Sequence, residues 1–209
     1  STLFPYTTLF RSARFGEDAY ASELGLDIIT HMREHCDALS RKHHLNFSLL
    51  ATPAEGIAGR FTRLDRKEFG KIKNITDHDF YTNSFHIPVY YSISAFDKID
   101  IEAPYHDLCN AGHITYIELD GDPSHNLIAF ESVIRHMKEK GIGYGSINHP
   151  VDRDPVCGFS GIISKHTCPS CHRHETTSEP FERLRRITGY LVGSRSEEHT
   201  SELQSRQVI

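Results

Sequence analysis

Cys168-Pro-Ser-Cys171 places two thiols in one tight turn. At this spacing a pair of thiolates converges on a tetrahedral metal ion while backbone amides point at the sulfurs. Cys157, in Cys157-Gly-Phe-Ser-Gly161, reads as half of a second knuckle, and the residue three before it is Asp154 rather than a cysteine. Three thiolates need one more ligand to close a tetrahedron. Asp154 is the first candidate, with His149 and His174 as alternatives. A closed site of three cysteines plus a carboxylate or an imidazole is structural, and zinc is the ion expected there. A metal-free or redox-active thiol pair is the competing reading. Eighteen positions after Cys171 comes Gly189, in Arg185-Arg-Ile-Thr-Gly-Tyr-Leu191. A glycine in such a turn is ordinarily a backbone device for positive φ. It is also the residue best suited to lose an α-hydrogen. The resulting planar radical is stabilised by the amide nitrogen on one side and the carbonyl on the other, and no side chain twists it. The two remaining cysteines suit packing: Cys36 lies on an apolar helix stripe, and Cys109 lacks any obvious low-pKa setting.

Composition narrows the setting of this chemistry. The 209 residues contain 38% hydrophobic and 24% charged positions, as a globular chain does, and no apolar run approaches the roughly 18 residues of a membrane span. No N-terminal segment has the order of a signal peptide. Five cysteines with one tight pair fit a metal in a reducing compartment better than a disulfide framework, so the cytoplasm is expected. The net charge of −5 argues against a general nucleic-acid binder. Between Val151 and Arg186 six basic residues meet five acidic ones, too even a balance for a ribbon that tracks phosphates. Residues 1–12 and 194–209 resemble in-frame translations of the adapters ligated to DNA fragments for short-read sequencing, and are set aside as foreign to the fold.

The elements that must position these groups follow from periodicity. Leu24, Ile28, Met32, Cys36 and Leu39 form one stripe on a helix from Asp18 to about His43. Asn46 to Ala51 reads as a buried strand, Thr52 to Gly56 as a turn with Pro53 at a helix first turn, and Phe61 to Ile72 as a helix. Thr76 to His86 is irregular. Ile87 to Ser92, His113 to Leu119 and Tyr144 to Asn148 read as strands. A further helix opens at Pro123 and Ser124, turns Leu127, Phe130, Val133, Ile134 and Met137 inward, and closes at Gly141. Strands alternating with helices imply βαβ units, a mainly parallel sheet and the α/β class. Near Pro150 the composition changes to Gly, Pro, Cys and His, which divides residues 13–150 from a small module at 151–193.

The knuckles, the glycine and several upstream stretches together resemble the C-terminal part of the anaerobic (class III) ribonucleoside-triphosphate reductases. Those stretches are Asn46-Phe-Ser-Leu-Leu-Ala-Thr-Pro-Ala-Glu-Gly56, Tyr81-Thr-Asn-Ser-Phe-His-Ile-Pro-Val89, Asn110-Ala-Gly-His-Ile-Thr-Tyr-Ile-Glu118 and Tyr144-Gly-Ser-Ile-Asn-His-Pro150. The resemblance implies the C-terminal part of a ten-stranded α/β barrel with an appended zinc ribbon and a glycyl radical loop. It implies Gly189 as the radical site and Cys157, Cys168 and Cys171 as zinc ligands, with the fourth ligand open between Asp154, His149 and His174. The radical would be installed by a separate activating enzyme that uses an iron–sulfur cluster and S-adenosylmethionine. It would then pass to a cysteine at the barrel centre, whose thiyl abstracts the ribose 3′-hydrogen of a ribonucleoside triphosphate. Formate or a thioredoxin-like system would supply electrons. Asn83 and Ser84 are candidate contacts to the substrate phosphates. The family pattern has two Cys-x-x-Cys pairs, and this chain departs from it at Asp154. The thiyl cysteine of the family lies several hundred positions before the glycine, whereas only 188 residues precede Gly189, so neither Cys36 nor Cys109 takes that role. The allosteric domain that binds ATP is likewise expected outside this window, and a homodimer is expected at full length. Other glycyl radical enzymes of the pyruvate formate-lyase type share the radical and barrel but lack the ribbon. A non-enzymatic ribbon module is the reading from a different class.

Overall fold

The computed structural model describes residues 16–51, 55–73, 75–82, 84–88, 91–119, 121–163, 166–187 and 190–193. Both adapter-like ends lie outside the described residues, as do Pro53, Asn83 and Gly189. The chain opens with helix α1 (Ala19–His43), where Asp18 Oδ1 accepts the Ala21 amide at 2.9 Å and satisfies one free donor of the first turn. Arg41, Lys42 and His43 close its last turn, where cations suit the helix dipole. Its most buried positions are Gly25 and Ile29, one step round from the expected stripe, and Leu26, Ile28 and Met32 flank them. Arg33 then donates to the carbonyls of Asp107 and Leu108, both at 3.2 Å, and ties α1 to helix α4 (Pro104–Leu108).

Among the described residues, neither Asn46 to Ala51 nor Ile87 to Ser92 forms a regular strand. Asn46 to Ala51 makes only a parallel bridge from Leu50 to Gly112, flanked by Ala111 N–H to Leu49 O at 2.9 Å and Ala51 N–H to Gly112 O at 3.0 Å. In the other, Ile87 gives its amide to the Glu102 carboxylate at 2.9 Å, and Pro88 has no amide to give. Phe85 and Ile87 pack into the core, Val89 and Tyr90 lie outside the described residues, and helix α3 (Ala95–Glu102) follows. Ser94 caps α3 by accepting the Asp97 amide at 3.1 Å while donating to Asp97 Oδ2 at 2.7 Å. Helix α2 (Glu55–Phe69) begins and ends earlier than the sequence pattern suggested.

Strand β1 (Thr115–Glu118), helix α5 (Leu127–Glu139) and strand β2 (Gly145–Asn148) form one βαβ unit, with a short 3₁₀ turn at Pro123–Asn126 leading into α5. The strands pair in parallel, Thr115 opposite Gly145 through Glu118 opposite Asn148. Among the described residues this is a two-stranded parallel sheet rather than a closed ring. The end of α5 closes as expected, with Gly141 at φ 80°, its amide on Lys138 O at 3.2 Å and the Ile142 amide on Met137 O at 2.9 Å. The inward face of α5 is narrower than expected: Met137 is buried and Val133 packs beside it, but Leu127 and Ile134 are exposed. A two-stranded sheet covers only one side of the helix.

Three cores result. Ile29, Leu49, Ala51, Phe85, Ile87, Tyr105 and Cys109 fill the first, with Phe85 stacked on Tyr105 at 4.7 Å. Ile99, Ile117 and Met137 fill the second. Ile163, Cys168 and Phe181 fill the third. This last core belongs to the C-terminal module, a four-stranded antiparallel sheet of β3 (Val151–Arg153), β4 (Ser160–Gly161), β5 (Glu182–Ile187) and β6 (Tyr190–Gly193) in the order β4-β3-β5-β6. The parallel pair ends at Asn148, and the antiparallel sheet begins at Val151. No helix among the described residues is long and apolar enough to cross a membrane.

Candidate metal centre

The C-terminal module is built around two knuckles with the same backbone plan. In the second, Cys168-Pro-Ser-Cys171-His-Arg, the His172 amide donates to Cys168 O and the Cys168 amide to Arg173 O, both at 2.9 Å. In the first, Asp154-Pro-Val-Cys157-Gly-Phe, the Gly158 amide donates to Asp154 O and the Asp154 amide to Phe159 O, again both at 2.9 Å. Each turn puts a residue with positive φ after its cysteine, Gly158 at 77° and His172 at 59°. Each also has proline in second place. Asp154 therefore holds in its knuckle the position that Cys168 holds in the other.

The two knuckles face one another. Asp154, Cys157, Cys168 and Cys171 each present a ligand atom within 4.8 Å of the others. Cys157 Sγ is 3.6 Å from Cys168 Sγ, and Asp154 Oδ2 is 3.4 Å from Cys157 Sγ and 3.3 Å from Cys171 Sγ. Tetrahedral zinc would set sulfur–sulfur edges of about 3.8 Å and sulfur–oxygen edges of about 3.6 Å, given metal–ligand bonds of about 2.3 and 2.1 Å. The edges found fit a metal-sized tetrahedron to within a few tenths of an ångström. His149 and His174 are not among these donors: His149 Nδ1 lies 3.1 Å from Pro150 O, and His174 Nδ1 lies 3.0 Å from Thr167 Oγ1.

The surroundings hold the carboxylate in place. Asp154 is fully buried; its Oδ1 accepts Arg173 Nη2 at 2.6 Å and the Val156 amide at 2.9 Å, while Oδ2 accepts Arg173 Nε at 3.3 Å and faces the sulfurs. Arg173 lies over the Phe181 ring at 4.6 Å and donates to Glu179 O at 2.7 Å. Its guanidinium holds the Asp154 carboxyl well below the usual carboxylate range, against the effect of burial. The thiols divide. The Phe159 amide favours a Cys157 thiolate, but burial, the other two sulfurs and the Asp154 anion outweigh it and push the thiol up to about 12. Burial opposes ionisation of Cys168, yet amides of Cys171 and Ser170 and the neighbouring thiols bring its value down. One carboxylate and three thiols that converge in this way could hold a metal ion, whose charge would favour the thiolates over the thiols.

The other expected site residues fall elsewhere. Ser84 is half-buried, at φ 50°, in the turn before Phe85. Gly189 and Asn83 lie outside the described residues. The strands on either side of positions 188 and 189 pair antiparallel, with Ile187 opposite Tyr190. Cys109 is buried, and burial pushes its thiol up to about 11, as a packing residue requires. Cys36 is only partly buried. Sequence reasoning missed a cluster of His86, Glu102 and His113, whose members are too far apart in the chain to form a motif. Ser94-Ala-Phe-Asp97 was the available signal for α3, the helix that carries Glu102.

The comparisons with known proteins agree on one family. The family model described as anaerobic ribonucleoside-triphosphate reductase matches residues 5–208. The chain is 39% identical over 184 residues to the anaerobic ribonucleoside-triphosphate reductase of Escherichia coli (strain K12), covering 84% of this chain and 25% of that protein. It is 36% identical over 173 residues to the enzyme of the same name from Enterobacteria phage T4, covering 81% of this chain and 28% of that protein. The chain thus spans about a quarter of the length of the curated relatives it matches. In fold it is similar to a solved anaerobic ribonucleotide reductase, with a TM-score of 0.68 at 18% identity over 92% of this chain and 28% of that one. It is also similar to the Thermotoga maritima enzyme solved in complex with dATP and CTP, with a TM-score of 0.64 at 18% identity over 92% of this chain and 29% of that one. The chain belongs to the anaerobic ribonucleoside-triphosphate reductase family.

Proposed function

We propose that this chain supplies the C-terminal, radical-bearing part of an enzyme that reduces ribonucleoside triphosphates to deoxyribonucleoside triphosphates. The observation that carries this reading is the pair of facing knuckles, joined through the sheet to the two strands that flank Gly189. Strand β3 ends at Arg153, one residue before Asp154, and it pairs with β5, which pairs in turn with β6. Whatever fixes the knuckles thereby fixes the strands on both sides of positions 188 and 189.

Asp154, Cys157, Cys168 and Cys171 would hold zinc, which would act structurally by locking the two turns together. Arg173 orients Asp154 from outside the donor set, as outer-shell partners of metal ligands do. Gly189 would carry the radical, and the βαβ unit would form part of the ten-stranded barrel of the complete enzyme. Ser84 and Asn83 would contact the substrate phosphates. The partners of the complete enzyme are an activating enzyme with an iron–sulfur cluster and S-adenosylmethionine, a formate or thioredoxin-like reductant, and a second copy in a cytoplasmic homodimer.

Electron paramagnetic resonance tests this reading. Restored to a full-length gene and activated without oxygen, the protein should give a glycine-centred doublet and convert ribonucleotides, and Gly189→Ala should lose both. A doublet that survives Gly189→Ala would overturn the assignment. The 209-residue chain alone should show no turnover, since the thiyl cysteine of the family lies outside it.

A further inference from the structure

The α/β part of the chain contains a second set of convergent donors that the reductase reading does not use. His86, at the end of an irregular segment, Glu102, at the end of α3, and His113, just before β1, each present a ligand atom within 4.8 Å of the others. Three atoms so placed have a point in their plane that lies within about 2.8 Å of all of them. Small rotations of two imidazole rings would bring that to the 2.0–2.2 Å of a metal bond.

Three features separate this cluster from an ordinary buried ion pair. First, His113 is only 6% exposed, and neither of its ring nitrogens has a hydrogen-bond partner among the described residues. A buried imidazole with both nitrogens idle is costly unless something not yet placed engages it. Second, Glu102 is fully buried and its two oxygens differ. Oε1 accepts Lys98 Nζ at 2.6 Å and the Ile87 amide at 2.9 Å, whereas Oε2 has only His86 Nδ1, at a loose 3.5 Å. One oxygen is held by outer-shell donors and the other is left toward the histidines, an arrangement common in metal-binding carboxylates. Third, a neighbouring histidine does not compete. His106 accepts the Gly143 amide on Nδ1 at 3.3 Å, so Nε2 carries the proton and faces Thr115 Oγ1 at 2.9 Å. Its ring lies 4.5 Å from that of His113 and helps to pin it, while the His86 ring stacks on His113 at 5.4 Å.

We infer that His86, Glu102 and His113 form a binding site for a divalent transition-metal ion, separate from the cysteine knuckles. Two imidazoles and one carboxylate select zinc or ferrous iron, whereas calcium and magnesium require oxygen ligands. Three protein ligands leave a coordination position for water. The Lys98 ammonium remains on the far oxygen of Glu102 and keeps that carboxylate ionised and oriented.

Metal titration of the complete chain tests the site. Chelator-stripped protein should bind two equivalents of zinc. A variant with Cys157, Cys168 and Cys171 all changed to serine should still bind one. Cobalt in that variant should give ligand-field bands without sulfur charge-transfer bands, together with paramagnetically shifted imidazole protons in NMR spectra. Adding His113→Gln should weaken this binding more than about 100-fold, above the usual loss on removing an outer-shell partner. His86→Gln, at a ring that is not fully buried, should do the same and decides the matter if circular dichroism finds His113→Gln unfolded. The inference is overturned if the serine variant binds no metal, or if a folded His86→Gln or His113→Gln variant binds cobalt as tightly as its parent.

Discussion

Asp154 stands where a second Cys-x-x-Cys pair would have its first thiol, and its backbone behaves as that cysteine's would. Changing Asp154 to Cys should therefore leave the knuckle intact and raise the sulfur charge-transfer intensity of cobalt-loaded protein by about a third, as sulfur donors go from three to four. Unchanged intensity would place Asp154 outside the metal's ligand set. A second residue gives the module its acid sensitivity. Glu175 accepts both terminal nitrogens of Arg183 at 2.6 and 2.8 Å, and the Phe181 amide at 3.0 Å. The Arg183 bonds, with help from His166 and the Phe181 amide, outweigh partial burial and hold its carboxyl at about 2, below the 4.5 of a free side chain. A lowered carboxyl value stabilises the fold fully above about 4.5, and the stabilisation fades as pH falls toward 2. Denaturant midpoints of the parent and of Glu175→Gln should differ at neutral pH and converge in acid; a constant gap would refute this.

Among the elements, the ends were easier to read than the faces. Asp18 and Gly141 are punctuation in the sequence itself, and both mark helix ends in the structure. Gly141 adopts φ 80° with nothing near its missing side chain, so Gly141→Ala meets only the backbone cost of a left-handed residue, about 1 kcal/mol in thermal or urea unfolding. The faces of α1 and α5 were placed less well. Periodicity reports which residues are apolar, whereas the neighbours decide how wide a strip is covered, and β1 with β2 covers little of α5. The run from Ile87 has the composition of a strand, yet its amide is claimed by a glutamate fifteen residues away. No local pattern carries that information. The same holds for His86, Glu102 and His113, which the packing of α3 against β1 brings together. The cysteine spacing was legible because a Cys-x-x-Cys turn is a local object. What it did not reveal was the kinship of Asp-Pro-Val-Cys with Cys-Pro-Ser-Cys, which is plain only in the backbone bonds.

For the whole molecule, the three cores are unequal. Two of them serve the α/β part, and the third, Ile163, Cys168 and Phe181 with Phe159 alongside, includes a knuckle cysteine. A metal that ties Cys168 to the facing knuckle would hold that core in place. Stripping zinc from the knuckles should therefore abolish amide-exchange protection in residues 151–187 and leave that of α1 in place. Equal loss in both regions would mean that the chain unfolds as one unit. The order of the antiparallel sheet also bears on the history of the gene. β5 is bonded on both sides, to β3 and to β6, so inserting one residue within 182–187 would turn every later side chain to the opposite face. The stretch 176–180 belongs to no strand of that sheet. Relatives of this chain should differ in length there, and keep an invariant count from Glu182 to the glycine.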